Sequence, residues 1–482
     1  MKKTLVLNPG NKAIKNIVQD FMYGCWCKGR RIGGMQMPPL NHLYVTTTLR
    51  KAGLDTDFID AGIDYGSFEK ALRNINDYAS VIILSSTNSF KNDVETLKVL
   101  KGLNRDLIAI LFGSHPTFMP TYCIKEESVD ILVFREPEFI IRDVVKKIIS
   151  GEDWRTVKGI GYRLNGKLKI NEPYPFIDLD ELPIPDRSLL PKGVDYFNPI
   201  VKRMPYATMQ TSRGCPAKCS FCTVPNFFGR NIRYRSVDSI MEEIRQIVKL
   251  GYKEIFFRDE TFTVYKKRNI EVCDKMIGEG IDVSWICNSR VDTIDKTQLE
   301  KMKKAGCHMV KFGIESGSQK ILDRIGKGTT LEQAQEAFRI CKEVGIDSHA
   351  HLMLGSPGET IETMKETIRF IIRLNPSTAS FGICTPYPGT ELFDYVAERY
   401  PDIKDGSDAQ MDKLHVQGFY NEAFTSVRKD ALEKYVLKAY RKFYFRPGYI
   451  FDRLKKINSF DEFMRLAIAG SNIFTFAIKG EN

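Results

Sequence analysis

No run of about eighteen uninterrupted apolar residues occurs anywhere in the chain, so a spanning helix is not expected. The start of the chain also lacks the apolar core of a secretory signal, because Met1-Lys2-Lys3 leads into only four residues before Asn8-Pro9-Gly10. No long run of one charge sign appears. The formal excess of +11 comes from 71 basic against 60 acidic residues. That imbalance suits an anionic small molecule, a membrane surface or simple solubility as well as it suits nucleic acid. A disulfide framework is missing too: the eleven cysteines are odd in number and scattered, with three in one tight group. These absences predict a cytoplasmic protein, at most peripheral to a membrane.

What is present is material for several cores, with 43% hydrophobic residues over 482 positions. Over residues 1–150, short β-rich runs near 5–8, 56–60, 81–85, 108–112 and 131–134 alternate with helical patterns at 40–52, 91–101 and 138–149. That pattern predicts a five-stranded doubly wound domain, whose ligand sits beyond the carboxyl ends of the strands. Asn8, Asp60, Ser85-Ser86-Thr87-Asn88 and Gly113-Ser114-His115-Pro116 stand there. Residues 151–204 are rich in proline and aromatics and read as a packed linker, with a hairpin over 159–170 turning at Asn165-Gly166. From 205 to 390, six strand-then-helix units follow, with strands at 207–211, 254–258, 283–288, 309–314, 348–354 and 379–385. Six parallel units predict an incomplete barrel with its active site at the carboxyl-terminal strand ends. Residues 391–482 are helical and aromatic. They read either as a cap over the barrel mouth or, because basic and aromatic residues interleave, as a surface that meets an apolar substrate or a membrane interface.

The motif with most chemical content is Cys215-Pro216-Ala217-Lys218-Cys219-Ser220-Phe221-Cys222, in the loop after the first barrel strand. Three thiolates at this spacing can hold one face of a 4Fe–4S cubane, and such clusters take four ligands, so one iron is left open for a small chelating molecule. Zinc motifs instead pair two close thiols with two ligands elsewhere. Cys25-Trp26-Cys27 is a lone pair in a glycine-rich loop and is assigned no metal. His349 and His351 share a strand face and either line the lumen or pack against helices.

With Arg213-Gly214-Cys215-Pro216 ahead of the cluster and Phe221 before its last cysteine, residues 205–390 resemble the radical S-adenosylmethionine superfamily. The resemblance continues along the strand ends. Phe256-Phe257-Arg258-Asp259-Glu260 resembles the motif facing the methionine amino group, and Trp285 to Arg290 the one whose arginine meets the carboxylate. Gly313-Ile314-Glu315-Ser316-Gly317-Ser318 resembles the motif near the ribose. The stretches 351–360 and 386–390 resemble the fifth and sixth strand ends. What the resemblance implies is a cluster on Cys215, Cys219 and Cys222, with S-adenosylmethionine contacted by Asp259, Glu260, Arg290, Glu315 and Ser316.

The upstream domain resembles the cobalamin-binding domain of the radical enzymes that use both cofactors, through Pro38-Pro39-Leu40-Asn41-His42-Leu43, residues 49–53, Asp60-Ala61 and Gly113 to Thr117. That implies cobalamin contacts at Asp60, Ser85, Ser86, Gly113 and His115. Gly62 stands where the cobalt-ligating histidine of a D-x-H-x-x-G signature would follow Asp60. His42 and His115 are expected to be core or loop histidines rather than cobalt ligands. The expected fold class is thus α/β, a Rossmann-like cobalamin-binding domain, a partial (β/α)6 radical barrel and a helical C-terminal region. The implied activity is reductive cleavage of S-adenosylmethionine, coupled to cobalamin-dependent C-methylation of an unactivated carbon in a small or lipid-like substrate, with a flavodoxin or ferredoxin as reductant. Ring-forming carbon–carbon coupling, as in the anaerobic porphyrin cyclases, is the enzymatic alternative. A tRNA-modifying methylthiotransferase is disfavoured because neither an RNA-binding C-terminal β-barrel nor a second cluster motif is found. A non-catalytic cluster carrier would have no need of the strand-end motifs. No residue is assigned as hydrogen donor or acceptor.

Overall fold

Val81-Ile82-Ile83-Leu84 is apolar at successive positions, so a strand built from it must be covered on both faces. The computed structural model, which describes residues 2–10, 32–194, 196–408, 418–457 and 459–480, provides that cover. Strands β1 (Lys3–Asn8), β2 (Thr56–Asp60), β3 (Tyr78–Leu84), β4 (Ile108–Phe112) and β5 (Ile131–Val133) run parallel. Strands β6 (Ile160–Leu164) and β7 (Lys167–Ile170) continue the sheet antiparallel, in the order β2-β1-β3-β4-β5-β6-β7. Alternate side chains feed opposite faces: Leu5 and Val81 pack with Leu97, whereas Val6 and Ile82 pack with Val45 and Val144.

The hairpin forms where expected, with Asn165 and Gly166 both at positive φ (50° and 74°), as a two-residue turn demands. It belongs to the first sheet, which corrects the five-strand expectation and moves the start of the connector from residue 151 to beyond Ile170. The physical reason is β5, three residues long, which would otherwise be an unpaired edge. The remaining connector packs, with Ile177, Leu179 and Leu182 against Leu40 and Tyr44. Cys25-Trp26-Cys27 and most of its glycine-rich loop lie outside the described residues.

The second sheet begins at β8 (Tyr206–Met209). A short antiparallel pair, β9 (Ser212–Arg213) and β10 (Arg233–Tyr234), brackets the cysteine loop. Strands β11 (Glu254–Phe257), β12 (Ser284–Ser289), β13 (Cys307–Glu315), β14 (Asp347–Leu354) and β15 (Thr378–Ile383) complete an all-parallel, six-stranded sheet laid out in chain order. This is the six-unit partial barrel expected, with β8 and β15 as its edges.

The β15 edge is covered by helix Lys429–Tyr444. Tyr440 Oη lies 3.2 Å from both the amide nitrogen and the carbonyl oxygen of Phe381. Tyr444 Oη accepts from the Ala379 N–H at 3.0 Å and donates to its carbonyl at 2.5 Å. Helices Pro447–Leu454 and Phe460–Lys479 follow. Among the described residues, no helix is long and apolar enough to cross a membrane.

Candidate active site

Side chains alternate along a strand, so every second residue of the barrel sheet faces its lumen. Lys311 and Gly313 of β13, His349 and His351 of β14, and Thr378 and Ser380 of β15 follow that rule and line a cavity of about 770 Å3. Arg258, Glu260, Asn288, Arg290 and Glu315 enter from the strand ends, the cysteine loop closes one side, and the C-terminal helices close another through Ile450, Leu454, Phe463 and Phe474. The histidine pair therefore lines the lumen. Its rings are 4.3 Å apart, and Ser380 Oγ bridges His349 Nε2 (3.2 Å) and His351 Nδ1 (2.8 Å). Burial, with Lys311 adding, holds both well below the ordinary histidine range, so both are neutral at pH 7.

Cys215, Cys219 and Cys222 all line the cavity. Their loop is held from both sides: Cys215 N–H donates to Gly229 O (3.3 Å), and Ser220 N–H donates to Ile325 O (3.0 Å). Gly214 and Gly326 permit this approach, since a Cβ on either would lie 2.5 Å from Asn231 O or 2.6 Å from Lys218 O. Burial raises all three thiols, Cys222 to about 12, while the cations Lys327 and Arg290 pull Cys215 and Cys219 back. Cys215, Cys219 and Cys222 would hold a cluster as thiolates, so binding one would release protons. Among the described residues, no three His, Cys, Asp or Glu side chains converge on a single-ion site. Three soft donors on one loop, beside two cations and facing an open cavity, fit one face of a cubane with its fourth iron open.

The residues expected at S-adenosylmethionine divide into two groups. Glu260, Arg290 and Glu315 line the cavity. Arg290 forms a two-point ion pair with Asp292 (3.0 and 2.8 Å) and donates to Lys327 O (3.1 Å). Glu315 sits at φ +64° and accepts from Lys327 Nζ at 2.9 Å. A Cβ on Gly313 would lie 2.4 Å from Glu315 Oε1, so that glycine is what lets the carboxylate fold back over the strand. A positive φ at a non-glycine residue is a strained conformation.

Asp259 and Ser316, also expected at S-adenosylmethionine, are not among the residues that line the cavity. Asp259 is fully buried and accepts from the Thr211 amide (3.1 Å) and hydroxyl (2.8 Å) and from Ser212 Oγ (2.5 Å), so it fixes the strand that leads into the cysteine loop. Ser316 Oγ lies 3.1 Å from Thr367 Oγ1, against helix Ile361–Leu374.

The first sheet has the strand order 2-1-3-4-5, whose ligand crevice lies between the ends of β1 and β3. Asp60 ends β2, Ser85 and Ser86 follow β3, and Gly113 and His115 follow β4, but none lines the 770 Å3 cavity; Ile32, Gly33, Met35 and Met37 do. Asp60 accepts from Asn8 Nδ2 (2.9 Å) and Tyr196 Oη (2.8 Å), and burial raises its pKa to about 6. Ser86 N–H donates to Ser89 Oγ (2.9 Å). Gly113 sits at φ +120°, where a Cβ would lie 2.5 Å from Ser85 O. Ser85 Oγ is buried without a hydrogen-bond partner, an orphaned polar atom beside the crevice that fits a polar ligand edge. His115 is fully buried with both nitrogens engaged, by Thr87 Oγ1 (3.0 Å) and Asp405 Oδ2 (3.1 Å), so its ring has no nitrogen left for cobalamin. His42 is likewise a core histidine, between Phe58 and Phe112, and burial lowers it to about 3.

Sequence reasoning missed Lys327, whose signal is the run Gly326-Lys327-Gly328, with both glycines at positive φ. It also missed Glu136 and Glu138 of the first domain, which accept from the buried Arg213 at 3.1 and 2.5 Å. The residue two places before the cluster loop is thereby tied to the neighbouring domain. Nothing in the local sequence marks those glutamates as partners of Arg213, 75 or more residues away.

A thiol-lined cavity at the strand ends of a six-stranded partial barrel, behind a 2-1-3-4-5 sheet, defines the class: a radical S-adenosylmethionine enzyme with a cobalamin-binding domain. Residues 209–371 match the family described as the radical SAM superfamily, and residues 33–145 match the B12 binding domain. The chain belongs to this two-domain family. It is 34% identical to an uncharacterized methyltransferase of Pyrococcus horikoshii, over 93% of each chain. It is 30% identical to the anaerobic magnesium-protoporphyrin IX monomethyl ester cyclase of Rubrivivax gelatinosus, over 88% of this chain and 76% of that protein. The solved cobalamin-dependent radical enzyme OxsB, with aqua-cobalamin and S-adenosylmethionine bound, superposes with a TM-score of 0.70 at 18% identity, over 98% of this chain and 72% of that one. The last likeness is one of fold. Membership implies S-adenosylmethionine, a 4Fe–4S cluster and cobalamin as cofactors.

Proposed function

We propose that this enzyme methylates an unactivated carbon of a small or lipid-like substrate. The observation that carries the reading is the cavity itself, lined both by the thiols, Arg290, Lys327 and Glu315 and by the apolar Ile450, Leu454, Phe463 and Phe474. When bound, the cluster supplies the electron that cleaves S-adenosylmethionine, and the corrinoid supplies a transferable methyl group. Cys215, Cys219 and Cys222 would hold the cluster. Arg290 offers its guanidinium to a carboxylate, and Glu260 and Glu315 offer acceptors to an ammonium or to ribose hydroxyls. Asp259 and Ser316 position these groups from behind. At the first sheet, Ser85 and Gly113 are the proposed corrinoid contacts, through a hydroxyl and a close backbone approach; Gly62 supplies no ligand to cobalt. The C-terminal helices give the cavity an apolar wall through Ile450, Leu454, Phe463 and Phe474. Electrons would come from a flavodoxin or ferredoxin.

The test is anaerobic reconstitution with iron, sulfide and hydroxocobalamin, then dithionite and S-adenosylmethionine, with Cys219→Ala as control. Deoxyadenosine with stoichiometric corrinoid, and loss of the deoxyadenosine in the variant, is the expected result. Deoxyadenosine without corrinoid removes the methyl-transfer reading. A second reading, oxidative ring closure, is favoured by the likeness to the Rubrivivax cyclase. Product mass separates the two, since methylation adds a methyl unit and cyclisation removes hydrogens.

A further inference from the structure

Helix Phe460–Lys479 buries Ala469, and Phe476 and Ala477 against the core, together with the charged Glu462 and Arg465, the latter donating to Val201 O (3.0 Å) and Lys202 O (3.1 Å). Its outward positions carry Phe460, Phe463, Met464, Ile468, Phe474 and Ile478, and Phe460 is 78% exposed. Ile450, Phe451 and Leu454 of the preceding helix are exposed as well. Ten of the twenty-one large exposed apolar side chains among the described residues fall between Phe445 and Ile478. A concentrated patch of exposed apolar side chains marks an interaction surface. The charge in this region points to the cover. Residues 441–480 hold eight basic and three acidic side chains; Arg465 is buried and Arg453 and Lys456 pair with Asp347, which leaves Arg441, Lys442, Arg446, Lys455 and Lys479, and the Lys455 ammonium lies 4.0 Å from the Phe451 ring centroid. Apolar groups interleaved with lysine and arginine, on helices too short or too polar to span, fit the interface of an anionic bilayer. The same helices line the cavity through Ile450, Leu454, Phe463 and Phe474, so the exposed face and the apolar wall are continuous.

We propose that helices Pro447–Leu454 and Phe460–Lys479 dock the enzyme on an anionic lipid surface and open its cavity toward the acyl chains, from which an apolar substrate enters. The entry step rests on the lipid-like substrate reading above; the docking step does not. The test is anaerobic flotation of the reconstituted full chain with vesicles of equal parts phosphatidylglycerol and phosphatidylcholine, against pure phosphatidylcholine. Partition onto the anionic vesicles should exceed that onto the neutral ones by about ten-fold and fall in high salt. It should be lost in the triple variant Phe451→Ser, Phe460→Ser, Ile468→Ser, and weakened by Lys442→Glu with Lys455→Glu. These side chains do not line the cavity, so deoxyadenosine formation should be unchanged in both variants. Failure to float, equal partition on neutral vesicles, or a triple variant that floats like the parent would each overturn the proposal. So would a sedimentation-velocity dimer that the triple variant abolishes, which would make a second copy the cover. Flotation that persists in a protein yielding no deoxyadenosine would sink the functional reading and leave docking standing.

Discussion

Lys327 lines the cavity beside the cluster loop, bonded to Glu315, with burial opposing its charge and Glu315 and the Cys219 thiol raising its pKa overall. Removing its ammonium strips Glu315 of its partner and the cysteines of a nearby cation. Lys327→Met should leave iron loading intact but weaken S-adenosylmethionine binding by roughly ten-fold, about the value of one charge-assisted hydrogen bond. Equilibrium dialysis of the cluster-loaded protein measures this, and unchanged affinity would remove Lys327 from the site. Glu359 makes a pH prediction. Burial raises its pKa to about 7 against the opposing amide bonds of Ser356 and Gly355, and its Oε1 has no hydrogen-bond partner. A carboxyl whose folded pKa lies above its unfolded value of about 4.5 holds its proton more tightly when folded. Its contribution is therefore fully present below pH about 4.5 and is lost as pH rises through about 7. Glu359→Gln should flatten the stability profile from pH 5 to pH 8, and should make the variant more stable than the parent at pH 8, by on the order of 3 kcal/mol. Thermal melts across that range decide it; parallel profiles would refute it.

Element existence was legible because each run has one dominant period: all five parallel strands of the first sheet and all six of the second fall within a few residues of expectation. The hairpin was legible from Asn165-Gly166, but its membership in the sheet was not, because pairing of β6 with β5 is a long-range choice. Strand-end facing was the weakest reading. Alternation stops where the strand stops, so Glu260 and Asp259, adjacent in sequence, end up one in the cavity and one behind it. The cysteines were legible because three ligands on one loop need no tertiary information. The aromatic run at Tyr440–Pro447 held two uses that sequence does not separate, covering the β15 edge and facing outward. Edge cover makes its own prediction. Tyr440→Phe with Tyr444→Phe keeps the ring packing but removes both hydroxyls from the backbone groups of Phe381 and Ala379. Unpaired buried backbone groups cost about 1–3 kcal/mol each, so the double variant should melt earlier and exchange its β15 amides faster. Hydrogen exchange confined to other strands would contradict this role.

At the scale of the whole molecule, the two sheets are joined by buried polar contacts rather than by a flexible tether. Asp60 meets Tyr196, His115 meets Asp405, and Asn88 Nδ2 donates to Tyr387 Oη at 3.2 Å. The centre of the joint is Arg213, 1% exposed, between Glu136 and Glu138, with Arg233 also donating to Glu136 at 2.7 and 2.9 Å. Because Arg213 belongs to β9 and leads directly into Gly214 and Cys215, the first domain sets where the cluster loop stands. Glu138 is fully buried, and taking its charge away leaves Arg213 short of a partner in a site closed to water. Breaking one side of a buried pair costs about 3–5 kcal/mol. Glu138→Gln should therefore lower the melting temperature and separate the unfolding of the two domains into two resolved calorimetric transitions. It should also reduce iron retained after reconstitution, although the substitution lies in the domain that holds no cysteine of the loop. A single transition at the parent temperature with full iron content would mean that the cluster loop is set by the barrel alone.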